Sequence, residues 1–351
     1  MRGVLHLFAR GRKEQGKIMT NPILTRTTRG GITDNIHRGC LAVVGNGKVV
    51  KAIGDIDAMS FLRSSSKPLQ AATVVAHGAA EAFGLTDKEV AIIAGSHNGE
   101  PEHVETARSI FAKIGLSESL LQCGTHPPIH KESMYALLRA GVPFSAIHNN
   151  CSGKHAGMLA LAKHLGAAVD ASYIKPEHPV QKKNLEMISL LADYPAGKIT
   201  LGVDGCGIST HGMPLRNMAI AFARAANPEG LPAKVAAACG RVMRAMWANP
   251  MMVAGHGRYC TALLAATGKK LFVKAGANGV YAIGVPGRGL GIAVKVDDGE
   301  RQGYHALLIQ LLRSMDVITD AEVRALGEWA NPKILNECGE VAGHAEVVIE
   351  I

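Results

Sequence analysis

The stretch Arg63-Ser64-Ser65-Ser66-Lys67-Pro68 carries a hydroxyl and an amine three residues apart. If Ser64 opens a helix, Lys67 follows one turn later on the same face, and the two side chains can share a hydrogen bond. A serine hydroxyl is almost wholly un-ionised at neutral pH. A lysine beside it takes its proton once burial or a neighbouring cation leaves some free amine. The spacing alone is weak evidence, because helix starts favour serine anyway. What strengthens it is company later in the chain: Val90–Ala94 runs into Gly95-Ser96-His97-Asn98, and Lys270–Val273 into Lys274-Ala275-Gly276.

Taken in order, Ser-x-x-Lys, Ser-His-Asn and Lys-Ala-Gly parallel the Ser-x-x-Lys, Ser-Asp-Asn, Lys-Thr-Gly series of the penicillin-recognising serine enzymes. A second constellation is formed by Asn149-Asn150-Cys151-Ser152-Gly153-Lys154-His155 and Val203-Asp204-Gly205-Cys206-Gly207. Each sets a cysteine in a polar, glycine-containing turn, where a thiolate can bind metal or react and where a packed thiol is the commoner occupant. No Cys-x-x-Cys or His-Glu-x-x-His spacing decides between these readings. Gly153-Lys154 lacks the leading glycine of a phosphate-binding loop. Histidines such as His97, His126, His155, His211 and His256 are equally well read as structural.

These groups need a scaffold, and the chain is long enough to supply one. Its 351 residues are 47% hydrophobic and 19% charged, a globular balance with room for one large domain or two smaller ones. No apolar run approaches the roughly 20 residues that span a bilayer. The first 18 residues hold Arg2, Arg10, Arg12, Lys13 and Lys17 against Glu14 but no continuous apolar core or small-residue cleavage site, which argues against a secretory signal. Met19 reads as a second, natural beginning. The segment before it reads as a disordered extension or a basic targeting peptide. The remaining positive charge is spread without a basic stripe or reading motif, which excludes a nucleic-acid role. Seven cysteines without an export signal indicate free thiols or metal ligands in a reducing compartment, not a disulfide frame.

Leu41–Val44, Gly45-Asn46-Gly47 and Lys48–Ile53 read as a hairpin with a tight Asn-Gly turn. From Lys67 to about Glu229 the texture is helical, with apolar residues three and four apart in 68–80, 101–114, 133–140, 156–165 and 179–191; one strand-like segment, 199–203, interrupts it. A further helix over 233–247 stops at Asn249-Pro250. Strands are expected at 270–274, 280–285 and 291–296, then a helix over 305–315. The expected architecture is α+β: an antiparallel sheet built from both chain ends around a mainly helical middle. Residues 21–351 form one catalytic unit, with sheet parts near 24–62 and 268–320 and a helical part near 63–267, preceded by an extension over 1–20.

Several segments together resemble the rhizobial-type, class 3 L-asparaginases: Arg29-Gly30-Gly31-Ile32, Arg63-Ser64-x-x-Lys67-Pro68, Ser96-His97, Asn150-Cys151-Ser152-Gly153-Lys154-His155, Asp204-Gly205-Cys206, Val253-Ala254-Gly255, Gly257-Arg258-Tyr259-Cys260, and Lys274 with Tyr281–Val285. The resemblance runs from about residue 24 to about 315; the tail from Leu326 does not align readily. It implies a β-lactamase/glutaminase-like fold and a cytoplasmic homodimer that hydrolyses L-asparagine to L-aspartate and ammonia. By the same resemblance Ser64 is the nucleophile and Lys67 its base, and Ser96 and Lys274 form a second dyad. Zinc is implied on Cys151, Lys154 and Cys206, in an orienting or structural role more than a catalytic one. Arg63, His155, Asp204 and Cys260 match positions beside the substrate, with Arg63 the guess for its carboxylate and Asp204 for its ammonium. The alternatives at this stage are a glutaminase or penicillin-recognising hydrolase of the same fold, and a non-catalytic amino-acid binding protein.

Overall fold

The structure is a computed structural model that describes residues 20–351. The expected extension over 1–20 lies outside the described residues apart from Thr20. Eleven strands occur among them: β1 Ile23–Arg29, β2 Ile32–Gly45, β3 Lys48–Ile53, β4 Met59–Phe61, β5 Thr200–Val203, β6 Ser209–Pro214, β7 Phe272–Ala275, β8 Val280–Val285, β9 Leu290–Val296, β10 Lys333–Leu335 and β11 Val341–Val347. The large sheet runs β10-β11-β1-β2-β9-β8-β7, with β3 pairing β2, and its pairs are antiparallel. It is built from both chain ends, and the helices lie mainly between, as the sequence pattern predicts. β2 and β3 form the expected hairpin over Asn46-Gly47. The sheet also extends past its expected limit: the hard-to-align tail supplies β10 and β11, and β11 pairs with β1.

Every position of β8 is buried, which requires cover on both faces. Alternation assigns the two sides. On one, the helix Leu215–Ala226 lies so close that a Cβ at Gly284 would fall 2.3 Å from the Phe222 carbonyl oxygen, and one at Gly291 would fall 2.0 Å from that of Ala219. Gly284 and Gly291 are cross-strand partners, so two missing side chains make the groove that seats this helix. On the other face Tyr281 meets Tyr304, with ring centroids 5.2 Å apart, where the helix His305–Ser314 begins. This packing fixes β7 at the sheet edge and, with it, the position of Lys274.

Two central helices carry most of the remaining chemistry. Lys67–Ala76 follows a 3-10 turn over Arg63–Ser66, has Pro68 in its first turn, where the missing N–H costs nothing, and is buried from Lys67 to Val75. Ser152–His164 is likewise buried along Ser152–Ala162, so it presents side chains inward on all sides. A small antiparallel sheet, β4-β6-β5, holds the chain on either side of these helices. No helix among the described residues is long and apolar enough to cross a membrane.

Candidate active site

Arg63 has φ +51°, left-handed backbone that costs a non-glycine residue about 1–3 kcal/mol. This turn delivers three consecutive serines in different directions. Ser65 donates to the Leu62 carbonyl at 2.6 Å and Ser66 to that of Arg63 at 2.8 Å. Ser64 is half-buried, and no hydrogen bond within the described residues ties its hydroxyl. It is the free nucleophile candidate of the three.

Lys67 does not share the expected hydrogen bond with Ser64. Its ammonium donates instead to Ser96 Oγ at 2.8 Å and to the Asn150 carbonyl at 3.0 Å. Lys274, on β7, donates to the same Ser96 Oγ at 2.9 Å and to the Ala275 carbonyl at 3.0 Å. The structure therefore brings Ser96 and Lys274 together as anticipated and adds Lys67 to them, so that one hydroxyl bridges two lysines. Ser96 is itself anchored by its own N–H on the Val253 carbonyl, 2.8 Å away. Burial lowers Lys67, and it lowers Lys274 to about 7, with the charge of Lys67 pushing the same way. Free amine is thus available near neutrality.

The Cys151 turn opens the Ser152–His164 helix, placing Lys154 and His155 in its first turn. Lys154 Nζ stands 2.9 Å from Cys206 Sγ. Cys151 Sγ donates to Asn150 Oδ1 at 3.3 Å; the neighbouring Cys206 pulls Cys151 down toward the thiolate while Cys151 pushes Cys206 up, and the Lys154 charge favours the thiolate at both. Burial alone would lower Lys154, but the charges of Cys151 and Cys206 outweigh it and raise it. Two sulfurs and a nitrogen converging in a buried site are a donor set that suits zinc. The same burial that makes this cluster costly without a cation makes it complementary to one.

The other expected site residues also lie here, with changed partners. Arg63 Nε donates to Asp204 Oδ1 at 2.8 Å, so the two guessed anchors for opposite ends of a zwitterion form one ion pair. That pair, together with the Lys154 charge, holds Asp204 below the usual carboxylate range despite its burial. His155 shares Nδ1 with the Tyr173 hydroxyl at 2.6 Å, and its buried Nε2 has no partner; burial keeps it well below the ordinary histidine range. Cys260 Sγ accepts from the Ala275 N–H at 3.3 Å and the Tyr281 hydroxyl at 3.4 Å, beside Lys274. Cys260 and Lys274 line a cavity of about 50 Å³ together with Arg258 and Arg301.

Three participants went unassigned in the sequence. Asn150 contributes a main-chain carbonyl, which no side-chain pattern reveals. Tyr173 belongs to a short 3-10 turn far from any motif. His97 accepts from the Gly99 N–H on Nδ1, so Nε2 is the protonated nitrogen facing Ser152 Oγ at 2.9 Å; its place beside Ser96 was the available signal.

A helical and antiparallel-sheet framework holding two lysines on one serine and a third lysine between two cysteines defines the class of site. The sequence profile of the L-asparaginase II family matches residues 25–347, and the chain belongs to that family. No curated protein matches it. Similar solved structures include Mglu in its native form in the presence of 4.3 M NaCl, with 14% identity, a TM-score of 0.45, and coverage of 80% of this chain and 60% of that one. A β-lactamase from Mycobacterium bovis has 15% identity and a TM-score of 0.40, over 79% of this chain and 94% of its own. A Bacillus subtilis glutaminase, solved as a covalent complex with 5-oxo-L-norleucine, has 14% identity and a TM-score of 0.35, over 80% and 88%. The chain spans 60–61% of the first two Mglu chains. Likenesses this loose support no residue-by-residue correspondence, and membership of the family stands on the sequence match.

Proposed function

We propose that the protein is an L-asparaginase that hydrolyses the side-chain amide of L-asparagine to L-aspartate and ammonia through an acyl-enzyme on Ser64. The observation that carries this reading is the Lys67–Ser96–Lys274 bridge beside an untied Ser64 hydroxyl. Ser64 attacks the amide carbon as Lys67 takes its proton, and backbone N–H groups of the Arg63–Ser66 turn meet the developing oxyanion. Ser96 passes a proton between the two lysines and onward to the departing amine. Two ammonium ions cannot cheaply share one buried hydroxyl, so the arrangement keeps one lysine neutral and ready as a base. Water then resolves the ester with the same groups reversed.

Cys151, Lys154 and Cys206 would hold a zinc ion, whose positive charge would orient a carbonyl or carboxylate of the substrate. The Arg63–Asp204 pair, one cation and one anion side by side, matches the two charges of a free amino acid. This reading includes a cytoplasmic homodimer, as the family resemblance implies, with residues 21–351 as one catalytic unit. The test is ammonia release from L-asparagine and L-glutamine by the purified protein. Release from asparagine at the higher kcat/KM supports the reading; preference for glutamine turns it to a glutaminase, and binding without release to an amino-acid binding protein.

A further inference from the structure

Three loops meet at Asn98, two residues beyond the bridging serine. Its carbonyl accepts the N–H groups of Ile129 and His130, at 2.8 and 3.2 Å, and its Nδ2 donates to the His256 carbonyl at 2.9 Å and to Glu100 Oε1 at 3.2 Å. This knot aims three side chains of ligand type at one point. An imidazole nitrogen of His130, one of His256 and a carboxylate oxygen of Glu100 all lie within 4.8 Å of one another. Gly255 makes room for them: its φ is +113°, and a Cβ there would fall 2.4 Å from Glu100 Oε1.

We propose that Glu100, His130 and His256 bind a divalent transition-metal ion of the zinc or cobalt kind, at a site separate from the thiol cluster and independent of the catalytic reading. The donor set is two imidazoles and one carboxylate, which suits such ions, and it leaves further coordination positions open to water. Ligand bonds of about 2.0–2.2 Å put tetrahedral donors about 3.4 Å apart, so the cluster closes on an ion by side-chain rotation alone. Two of the three ligands, His130 and Glu100, are already oriented from behind. His130 Nδ1 caps the helix Lys131–Arg139 by accepting the Ser133 N–H at 3.4 Å and lies 2.8 Å from Ser133 Oγ, which leaves Nε2 to serve as the ligand. Glu100 Oε1 is fixed by the Asn98 amide and by the His256 N–H at 3.0 Å, leaving Oε2 for the ion. Such outer contacts on the ligands are what a metal site requires. Without an ion, Glu100 Oε2 faces His256 Nδ1 at 2.5 Å, and His130 Nε2 has the exposed Glu132 at 3.0 Å. Bound, the ion would fasten the loop carrying Ser96 to two other loops.

The test uses chelator-stripped full-length protein and Co²⁺ alone, in the Cys206→Ala background so that the thiol cluster is disabled. His256→Ala removes an exposed ligand, and His130→Asn removes a ligand while keeping a good helix cap. C206A is expected to bind one equivalent, with d–d absorption and no thiolate charge-transfer band. Binding should weaken at least about 100-fold in both C206A/H256A and C206A/H130N. No binding by C206A, or binding that either histidine variant retains, overturns the proposal and leaves Glu100 and His256 as an ion pair only. Asparagine hydrolysis is assayed separately, and its presence or absence bears on the proposed function alone.

Discussion

Lys67 and Lys274 around Ser96 and Lys154 between the cysteines are buried alike, with at most 2% of each exposed, yet their surroundings drive them apart. The first pair hydrogen-bonds a hydroxyl and carbonyls, which carry no full charge, and the nearby thiols, Cys151 for Lys67 and Cys260 for Lys274, push upward by less than burial pushes down. Burial therefore prevails, and both lysines fall, Lys274 to about 7. Lys154 faces thiols that can ionise, and their charge outweighs its burial and raises it. The difference teaches that depth alone does not make a lysine a base. What decides is how strongly ionisable partners offset burial, most at Lys154 in direct contact with Cys206, so one centre is suited to moving protons and the other to holding a cation or a metal.

Substitutions that separate the two centres test this contrast. The largest effect is expected at the hydroxyl centre: Lys67→Met should lower kcat by about 10⁴-fold or more, as loss of an interdependent catalytic group does. Ser96→Ala, which leaves both lysines without their shared acceptor, should lower kcat by about 10²–10⁴-fold. An undiminished kcat in either Lys67→Met or Ser96→Ala would break the assignment of roles. Stopped ammonia assays across substrate concentration read both.

The pH profile sharpens it. Lys274 must be free amine to accept a proton, so kcat/KM should rise with pH through about 7 and level above it. The limb should move or vanish in Lys274→Met. The sign for folding follows from the same shift. The folded value of about 7 lies below the unfolded 10.5, so the unfolded chain binds more protons between them. This lysine's contribution to stability therefore grows with pH from about 7 to 10.5 and is least favourable below 7. Urea midpoints for the wild type and Lys274→Met, compared at the two ends of that window, measure it.

At the thiol centre the expected signature is different. Cys206→Ala should raise KM for asparagine by about 10-fold, and chelation should do the same, with kcat held within a few-fold. A collapsed kcat with unchanged KM would place that centre in the chemistry and erase the contrast. The smallest effect is expected away from both. Thr86 caps the helix Asp87–Ile93 through a reciprocal pair with Glu89, so Thr86→Ala should cost about 1 kcal/mol in urea unfolding with kcat and KM unchanged.

Much of this arrangement was legible in the sequence. Ser64, Lys67, Ser96 and Lys274 stand out through the Ser-x-x-Lys spacing and the Ser-His-Asn and Lys-Ala-Gly stretches that follow it in order, and Cys151, Lys154 and Cys206 stand in glycine-containing turns. What could not be read was who meets whom. Lys67 points to Ser96 and not to Ser64 because the loop after Ala94 docks its N–H on Val253, a contact between segments about 150 residues apart that no local spacing encodes. Arg63 and Asp204 were read as separate anchors for the same reason. Among the elements, the helix Leu215–Ala226 was not delimited, since it starts directly from β6 at Pro214 with no side-chain cap. β10 and β11 were missed because β10 is only three residues long and β11, beside it near the sheet edge, shows little of the apolar alternation that marks a half-buried strand.

The central claim is that acyl transfer runs through Ser64, with Ser96 as the bridge between lysines. The most direct measurement is peptide mapping by mass spectrometry of protein quenched in acid during turnover of L-asparagine. The account predicts an aspartyl ester on the peptide that contains Ser64, absent from Ser64→Ala. An ester on the peptide containing Ser96, or steady ammonia release from Ser64→Ala, would contradict it.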